Sequence, residues 1–409
     1  MKNQNLFLLI FIALLAAACG KTSTPSPNVT SSQITVSSIS PTFGTYNTIV
    51  TITGTNFSPI TSNNIVKFNN IQAVVQSASA TSITAVVPLG AGTGVVSVAT
   101  NTLAVATGPS FTYNQTPLLY CGGVDNQGPV YWQNGTETAL TGKYPGLAGN
   151  VYAVVVSGAD IYFAGNDGPS ALYWKNGTSN YLPVQNSIGG ISAMAISGTD
   201  YYFAGADGQS IVYWKNGTEY TLPTNSNSYT FIKTMAVSGT DVYIAGTDGY
   251  SGNSAVYWVN GVEKTLPLKT SGGGGVFAMA INGTDVYFAG GDAVGNHTPV
   301  YWKNGTEFYL PYTNGSGNVY AMAISGSDIY FAGSDGNSAV YWKNGIENIL
   351  PVKNSGGANV LSIAISGTDL YFAGHDGTSA VYWKNAVENI LPSTASQTAS
   401  VNVIAIVNQ

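Results

Sequence analysis

The residues with the most chemical potential are two histidines and three repeated sets of carboxylates. His297 and His375 are the only histidines, five and eight residues ahead of Trp302 and Trp383, so they occupy unlike loop positions. A zinc centre takes three or four imidazole or thiolate ligands, and no such set recurs here. Asp160, Asp200, Asp241, Asp285, Asp328 and Asp369 each sit in a Gly-x-Asp turn, and Asp167, Asp207, Asp248, Asp335 and Asp376 each precede a glycine. Aspartate in such turns accepts from nearby backbone amides while glycine takes the left-handed position. A turn role is the first reading; weak calcium binding by turn oxygens is the functional one. Glu137, Glu219, Glu263, Glu307, Glu347 and Glu388 recur just after a hairpin turn. A glycosidase needs two carboxylates set apart across a scissile bond, and no pair breaks the repeat. No catalytic residue, cofactor or metal ion is therefore expected.

The elements that position these residues repeat from Leu118 onward. Tyr-Trp recurs at Trp132, Trp174, Trp214, Trp258, Trp302, Trp342 and Trp383, at spacings of 42, 40, 44, 44, 40 and 41 residues. A period in the low forties with several short strands is the signature of a propeller array. In one unit, 319–324, 329–333, 339–343 and 346–350 read as four strands. Asn344-Gly345 is the hairpin signal, because both positions tolerate positive φ. The first Trp lacks a first strand before it, whereas residues 401–406 form a surplus one after the last. The expectation is an all-β chain whose repeat region, residues 116–409, is a seven-bladed β-propeller closed by sharing one blade between its two ends.

Residues 33–113 carry short β-branched runs at 34–39, 49–52, 65–68, 83–87 and 95–98, without helical periodicity. Ile39-Ser40-Pro41-Thr42-Phe43-Gly44 followed by Val50-Thr51-Ile52-Thr53-Gly54-Thr55-Asn56-Phe57 resembles the opening of the IPT/TIG family of immunoglobulin-like domains. Residues 66–68, 83–88 and 94–98 match its later strands in order. The resemblance implies a small β-sandwich and little about function.

Residues 1–18 read as an export signal: Lys2, an apolar run over 6–18, and small residues at its end. Leu15-Ala16-Ala17-Ala18-Cys19 resembles the bacterial lipobox, which implies that Cys19 becomes the first residue and carries lipid. Residues 19–32, rich in Ser, Thr, Pro and Asn, read as a flexible tether. Gly20 is compatible with an outer-membrane address, periplasmic or cell-surface facing. Cys121 is left without an internal partner, and Ala at the matching place in later repeats makes it a small buried residue.

Charged residues are only 8% of the chain and the net charge is −6. That gives no basic footprint for nucleic acid. Near-identical repeats favour a recognition or scaffold surface over an active site, which needs unlike residues converging. The expected function is a monomeric, non-catalytic envelope lipoprotein, membrane-anchored through its lipid, that displays the propeller to an envelope protein or neutral glycan. The alternative is a polysaccharide hydrolase or lyase with paired acids at the propeller centre. Loops on a rigid scaffold are the usual place for contacts, so Tyr229, Tyr250 and Tyr312, in variable connections, are the candidate binding residues.

Overall fold

The computed structural model describes residues 33–100, 105–114, 117–144, 149–186, 188–225, 230–249, 254–270, 272–292, 298–393 and 398–408. The signal segment 1–18, Cys19, the tether, His297, Tyr229 and Tyr250 lie outside them. The chain divides into two compact units, Met1–Thr112 and Tyr113–Gln409.

In the first unit, a four-stranded sheet orders Thr35–Ser40, Ile49–Thr55, Ser82–Val86 and Val74–Ala78. A five-stranded sheet orders Phe43–Gly44, Ala106–Tyr113, Gly94–Thr100, Asn64–Phe68 and Ile71–Gln72. Ile49–Thr55 alternates strictly between exposed and buried residues, the period-2 pattern of a strand with one wet face. Val50, Ile52, Ile83, Val66, Phe68, Val98 and Phe111, from both sheets, are fully buried. Gly54 is obligatory: a Cβ there would lie 1.9 Å from the Thr35 carbonyl oxygen.

The second unit holds seven four-stranded antiparallel sheets. Sheet one joins Ser400–Asn408 to Pro117–Asp125, Gly128–Gln133 and Thr136–Ala139. Sheets two to seven each take their strands consecutively, beginning at Gly149, Gly189, Thr230, Gly274, Gly317 and Ala358. Each third strand buries alternate residues around its Trp, and all seven Trp side chains are fully buried. Neighbouring sheets bury these faces together: Trp214 of sheet three, for example, packs with Tyr162, Ala164 and Leu182 of sheet two.

The closed seven-bladed β-propeller expected from the sequence is corrected here. Backbone ladders stop at the edges of each sheet; none closes on itself and none runs into its neighbour, so the repeat region is seven separate, unclosed sheets. The reason is local. Each fourth strand is only four residues long, and in sheets two to seven a Leu-Pro pair follows it. Proline cannot donate to a further ladder. What joins the sheets is side-chain packing and the exit loops that follow the fourth strands. The surplus C-terminal strand does pair with Pro117–Asp125, over Pro117↔Asn408 to Val124↔Ser400.

The hairpin before each fourth strand is fixed by one repeated clip. Asn176 and Gly177 take φ of 50° and 82°, as a tight two-residue turn requires. The Asn176 amide nitrogen donates to Asp160 Oδ1 at 2.7 Å, and its oxygen accepts from the Ile161 amide at 2.9 Å. Lys175 Nζ lies 2.7 Å from Asp160 Oδ2. The same ion pair recurs at Lys215–Asp200, Lys303–Asp285, Lys343–Asp328 and Lys384–Asp369.

Candidate functional site

The second Asp set does more than shape turns. Asp125 accepts from the Gln127 and Gly128 amides at 2.8 and 3.1 Å, the expected local pattern. In sheets two, three, five, six and seven the carboxylate reaches the exit loop of the sheet before it. Asp207 accepts from the Gln185 and Asn186 amides at 2.7 and 2.9 Å, and Asp335 from those of Thr313 and Asn314 at 2.8 and 2.9 Å. Asp376 takes those of Lys353 and Asn354 at 2.9 and 2.7 Å. Asp292 does the same with Thr270 at 3.2 Å. Sequence reasoning missed Asp292 because Ala, not Gly, follows it.

The indole N–H groups complete the latch by donating to an exit-loop carbonyl. Trp214 reaches Pro183 at 2.9 Å, Trp258 Pro223 at 2.8 Å, and Trp302, Trp342 and Trp383 reach Pro267, Pro311 and Pro351 at 2.7 Å. Trp174 uses Thr141 at 2.9 Å, and Trp132 uses Pro392, from the last sheet, at 2.6 Å.

The Glu set shares the same face. Burial, and then the neighbouring Asp292, push the Glu307 carboxyl up to about 7. Glu219, Glu263, Glu347 and Glu388 are raised for the same two reasons in the same order, beside Asp207, Asp248, Asp335 and Asp376. Asp335 behaves oppositely: burial would raise it, but the Thr313 and Asn314 amides hold it below its usual value. Paired acids with displaced proton affinities are what a hydrolase would show. Here, however, the pair recurs sheet after sheet, and Glu307 and Asp292 are only 4% and 0% exposed. These acids grip the chain's own loops.

The place where the repeat breaks down is the first strand. At the same point in every sheet the register slips by one residue, leaving a bulged residue without a partner on the second strand. The bulged residues are Asn402, Tyr152, Ser192, Lys233, Phe277, Tyr320 and Leu361 in sheets one to seven. Glycine on the second strand enforces the slip. A Cβ on Gly165 would lie 1.9 Å from the Asn150 carbonyl oxygen, and Gly205, Gly246, Gly290, Gly333 and Gly374 meet the equivalent oxygen at 1.8–2.0 Å. The device recurs while the residue it presents differs almost every time. Bulges commonly re-aim side chains beside functional sites.

These first strands lie side by side. Each touches the first strand of the next sheet, and Ser400–Asn408 touches both Ala358–Ser366 and Gly149–Ser157. Their variable residues meet: the Phe277 and Tyr320 rings are 5.6 Å apart, and the Asn402 amide donates to Asn150 Oδ1 at 2.5 Å and to the Val151 carbonyl at 3.0 Å. Burial raises the Tyr320 phenol, an effect that Ser334 and Asn318 partly offset. Lys233 is open to solvent, yet surrounding protein partly strips its water and lowers its proton affinity. Beside the bulges, Asn166 Oδ1, Asn318 Oδ1 and His375 Nδ1 are buried without a hydrogen-bond partner. Asn359 Nδ2 lies 3.2 Å from His375 Nε2.

Of the three loop tyrosines, only Tyr312 is described; it is exposed on the exit loop after the fourth strand Thr306–Tyr309. The bulge set was within reach of the sequence. In every first strand the bulged residue, which varies, directly follows a Val or Ile: Val401, Val151, Ile191, Ile232, Val276, Val319 and Val360. Among the described residues, no group of three or more His, Cys, Asp or Glu gathers as a metal site, and no helix is long and apolar enough to cross a membrane.

Comparison with known proteins names the first unit only. The IPT/TIG domain family matches residues 34–113. No curated protein matches the chain. Among solved structures, an auxiliary nutrient binding protein from Bacteroides ovatus is 14% identical, with 84% of this chain and 95% of that one covered and a TM-score of 0.36. A protein of unknown function from Bacteroides thetaiotaomicron is 14% identical over 92% and 90%, with a TM-score of 0.41. An auxiliary nutrient binding protein from that organism is 12% identical over 92% and 98%, with a TM-score of 0.31. Likenesses this distant carry no argument about topology or ligand.

Proposed function

We propose that the chain is a non-catalytic binding protein of the cell envelope, held by lipid on Cys19, whose repeat unit takes a glycan along its row of first strands. The observation that carries this reading is the bulge column. A scaffold that keeps Trp, Asp, Glu, Asn-Gly and the bulge itself in place, while varying the presented residue, fits recognition by unlike contacts. Exposed Tyr152 together with Phe277 and Tyr320 offers flat apolar faces, and Asn150, Asn359 and Asn402 offer amide groups. Rigid aromatics with adaptable amides are a general recipe for binding hydroxylated or peptide surfaces. An envelope protein is the competing partner.

The test is a binding screen of the mature chain against oligosaccharides and envelope proteins, with Tyr152→Ala and Tyr320→Ala beside it. Glycan binding lost in both variants, at unchanged melting temperature, supports the reading. Binding unaffected by either, or only to a protein, sinks it. Mass measurement of the N-terminal peptide tests the anchor: an unmodified Cys19 refutes that part.

A further inference from the structure

The repeat also departs from itself between sheets two and three, and there it leaves a cleft. In three sheets the third residue of the fourth strand covers the Tyr that precedes the buried Trp. Tyr220 and Phe308 stack on Tyr213 and Tyr301 with ring centroids 4.9 and 5.0 Å apart, and Lys264 lies over Tyr257. Sheet two has Asn180 at that place, and its Nδ2 turns back to the Thr178 carbonyl at 2.9 Å. Tyr173, stacked on Phe203 at 4.8 Å, is left uncovered on that side. Sheet three adds Tyr201 where the other six sheets carry Leu119, Ile161, Val242, Val286, Ile329 and Leu370. The Tyr201 hydroxyl lies 3.1 Å from that of Tyr162, which fixes the ring. Sheets six and seven also have Asn, at Asn348 and Asn389, but there the next sheet has leucine in place of Tyr201.

Tyr173, Asn180, Tyr181, Tyr201 and Phe203 thus line one cleft of about 490 Å³. That lies inside the range of about 300–1,000 Å³ usual for small-molecule sites. No first strand contributes to the cleft, and no acid, lysine, arginine or histidine lines it. An ion would meet no opposite charge there. A wholly apolar ligand would cover Asn180 Oδ1 and the Tyr173 and Tyr181 hydroxyls, none of which has a partner among the described residues. Polar groups covered without a partner cost free energy. A neutral ring with C–H bonds on its faces and hydroxyls at its rim satisfies both demands. Its face lies on a tyrosine ring, one hydroxyl donates to Asn180 Oδ1, and its oxygens accept from the tyrosine hydroxyls. That is the chemistry of a pyranose.

We infer that the cleft between sheets two and three binds a neutral pyranose, with Tyr173 and Tyr201 as its stacking faces and Asn180 as its acceptor. This site shares no residue with the first-strand row and does not rest on that reading.

The test is titration of the mature chain, read by saturation-transfer NMR. The probes are the methyl pyranosides of glucose, galactose and mannose, methyl glucuronide, and p-cresol as a flat ring without a rim of hydroxyls. A neutral pyranoside should bind, with transfer strongest at the C–H protons of one ring face. Two variants use residues that other sheets already carry at these places. Asn180→Tyr copies Tyr220 and should lay a ring over Tyr173, which abolishes binding. Tyr201→Ile copies Ile161 and should weaken binding at least about fivefold through the lost ring face. Both should melt with the parent, and Tyr152→Ala should bind as the parent does. The inference is overturned by no binding of any neutral pyranoside, by tighter binding of methyl glucuronide, by binding of p-cresol alone, or by pyranoside binding that neither cleft variant moves. Loss in Tyr152→Ala but not in the cleft variants overturns it too, and assigns the sugar to the first-strand row instead.

Discussion

Ala386 stands where the other six hairpins carry glycine, and it keeps their left-handed conformation at φ 63°. An L residue with a Cβ is disfavoured there. Glycine relieves that but gains more freedom in the unfolded chain, which offsets part of the benefit. Ala386→Gly should stabilise by roughly 0.5 kcal/mol, read as a raised melting temperature; a lowered one would mean that the methyl's packing outweighs its strain. The acids give a second residue-scale prediction. Glu307 is raised from the usual 4.5 to about 7, so the folded state holds its proton more tightly than the unfolded one. The stabilisation linked to that proton is complete below pH 4.5 and is lost as pH rises through about 7. Asp160, Asp200, Asp285, Asp328 and Asp369 are lowered by hydrogen bonds from their Lys and Asn partners, so their contribution fails only in more acid solution. The melting temperature should rise from about pH 8 to about pH 5. Glu307→Gln, which keeps a donor toward Asp292, should flatten part of that slope and stabilise the protein at the alkaline end. A flat parent profile would show the acids to be solvated.

At the scale of the element, the unit of cohesion is a sheet gripping its neighbour's exit loop. Trp214→Phe keeps the aromatic plane but leaves the Pro183 carbonyl without its donor, and it also removes a donor to Glu219. Losing a buried donor costs about 1–3 kcal/mol. The variant should melt earlier by that amount, with amide exchange accelerated first in residues 182–186; uniform acceleration would argue against a local latch. Much of this element was legible in the sequence. Tyr-Trp, Asn-Gly and the Leu-Pro exits mark strand, turn and stop by local chemistry. The partners were not. Asp207 and Trp214 bond to atoms more than twenty residues away, and a repeat pattern does not say which neighbour a side chain faces. The varying column is visible in the sequence, but that it is a bulge is not. Its cause, the glycine of Phe-Ala-Gly, reads as small packing until the carbonyl against it is seen.

At the scale of the molecule, a propeller was read from periodicity, and periodicity reports that units recur without reporting how they close. The structure shows separate open sheets, so cohesion of the repeat unit lies in side-chain latches and in one strand borrowed from the far end of the chain. Ser400–Asn408 is that strand. Its Val401 and Ile404 are buried with Leu119, Cys121 and Trp132 of sheet one and with Tyr371, Ala373 and Ala380 of sheet seven. It also supplies Asn402, which bonds to Asn150 and Val151 of sheet two. One segment thus ties sheet seven, just before it in the chain, to sheets one and two near the other end of the repeat unit. Ending the chain after Ala399 removes the whole pairing and uncovers Leu119 and Cys121, leaving Pro117–Asp125 as a new apolar edge. Burying a large aliphatic side chain is worth about 1.5–3 kcal/mol, so losing two and uncovering others should cost on the order of 5 kcal/mol. An exposed flat edge also invites pairing with another copy. The truncated chain should melt well below the parent by calorimetry, run as a multimer in size-exclusion chromatography, and react with a thiol reagent at Cys121, which the parent shields. A truncated chain that stays monomeric, melts with the parent and keeps Cys121 unreactive would show that sheet one stands without its borrowed strand.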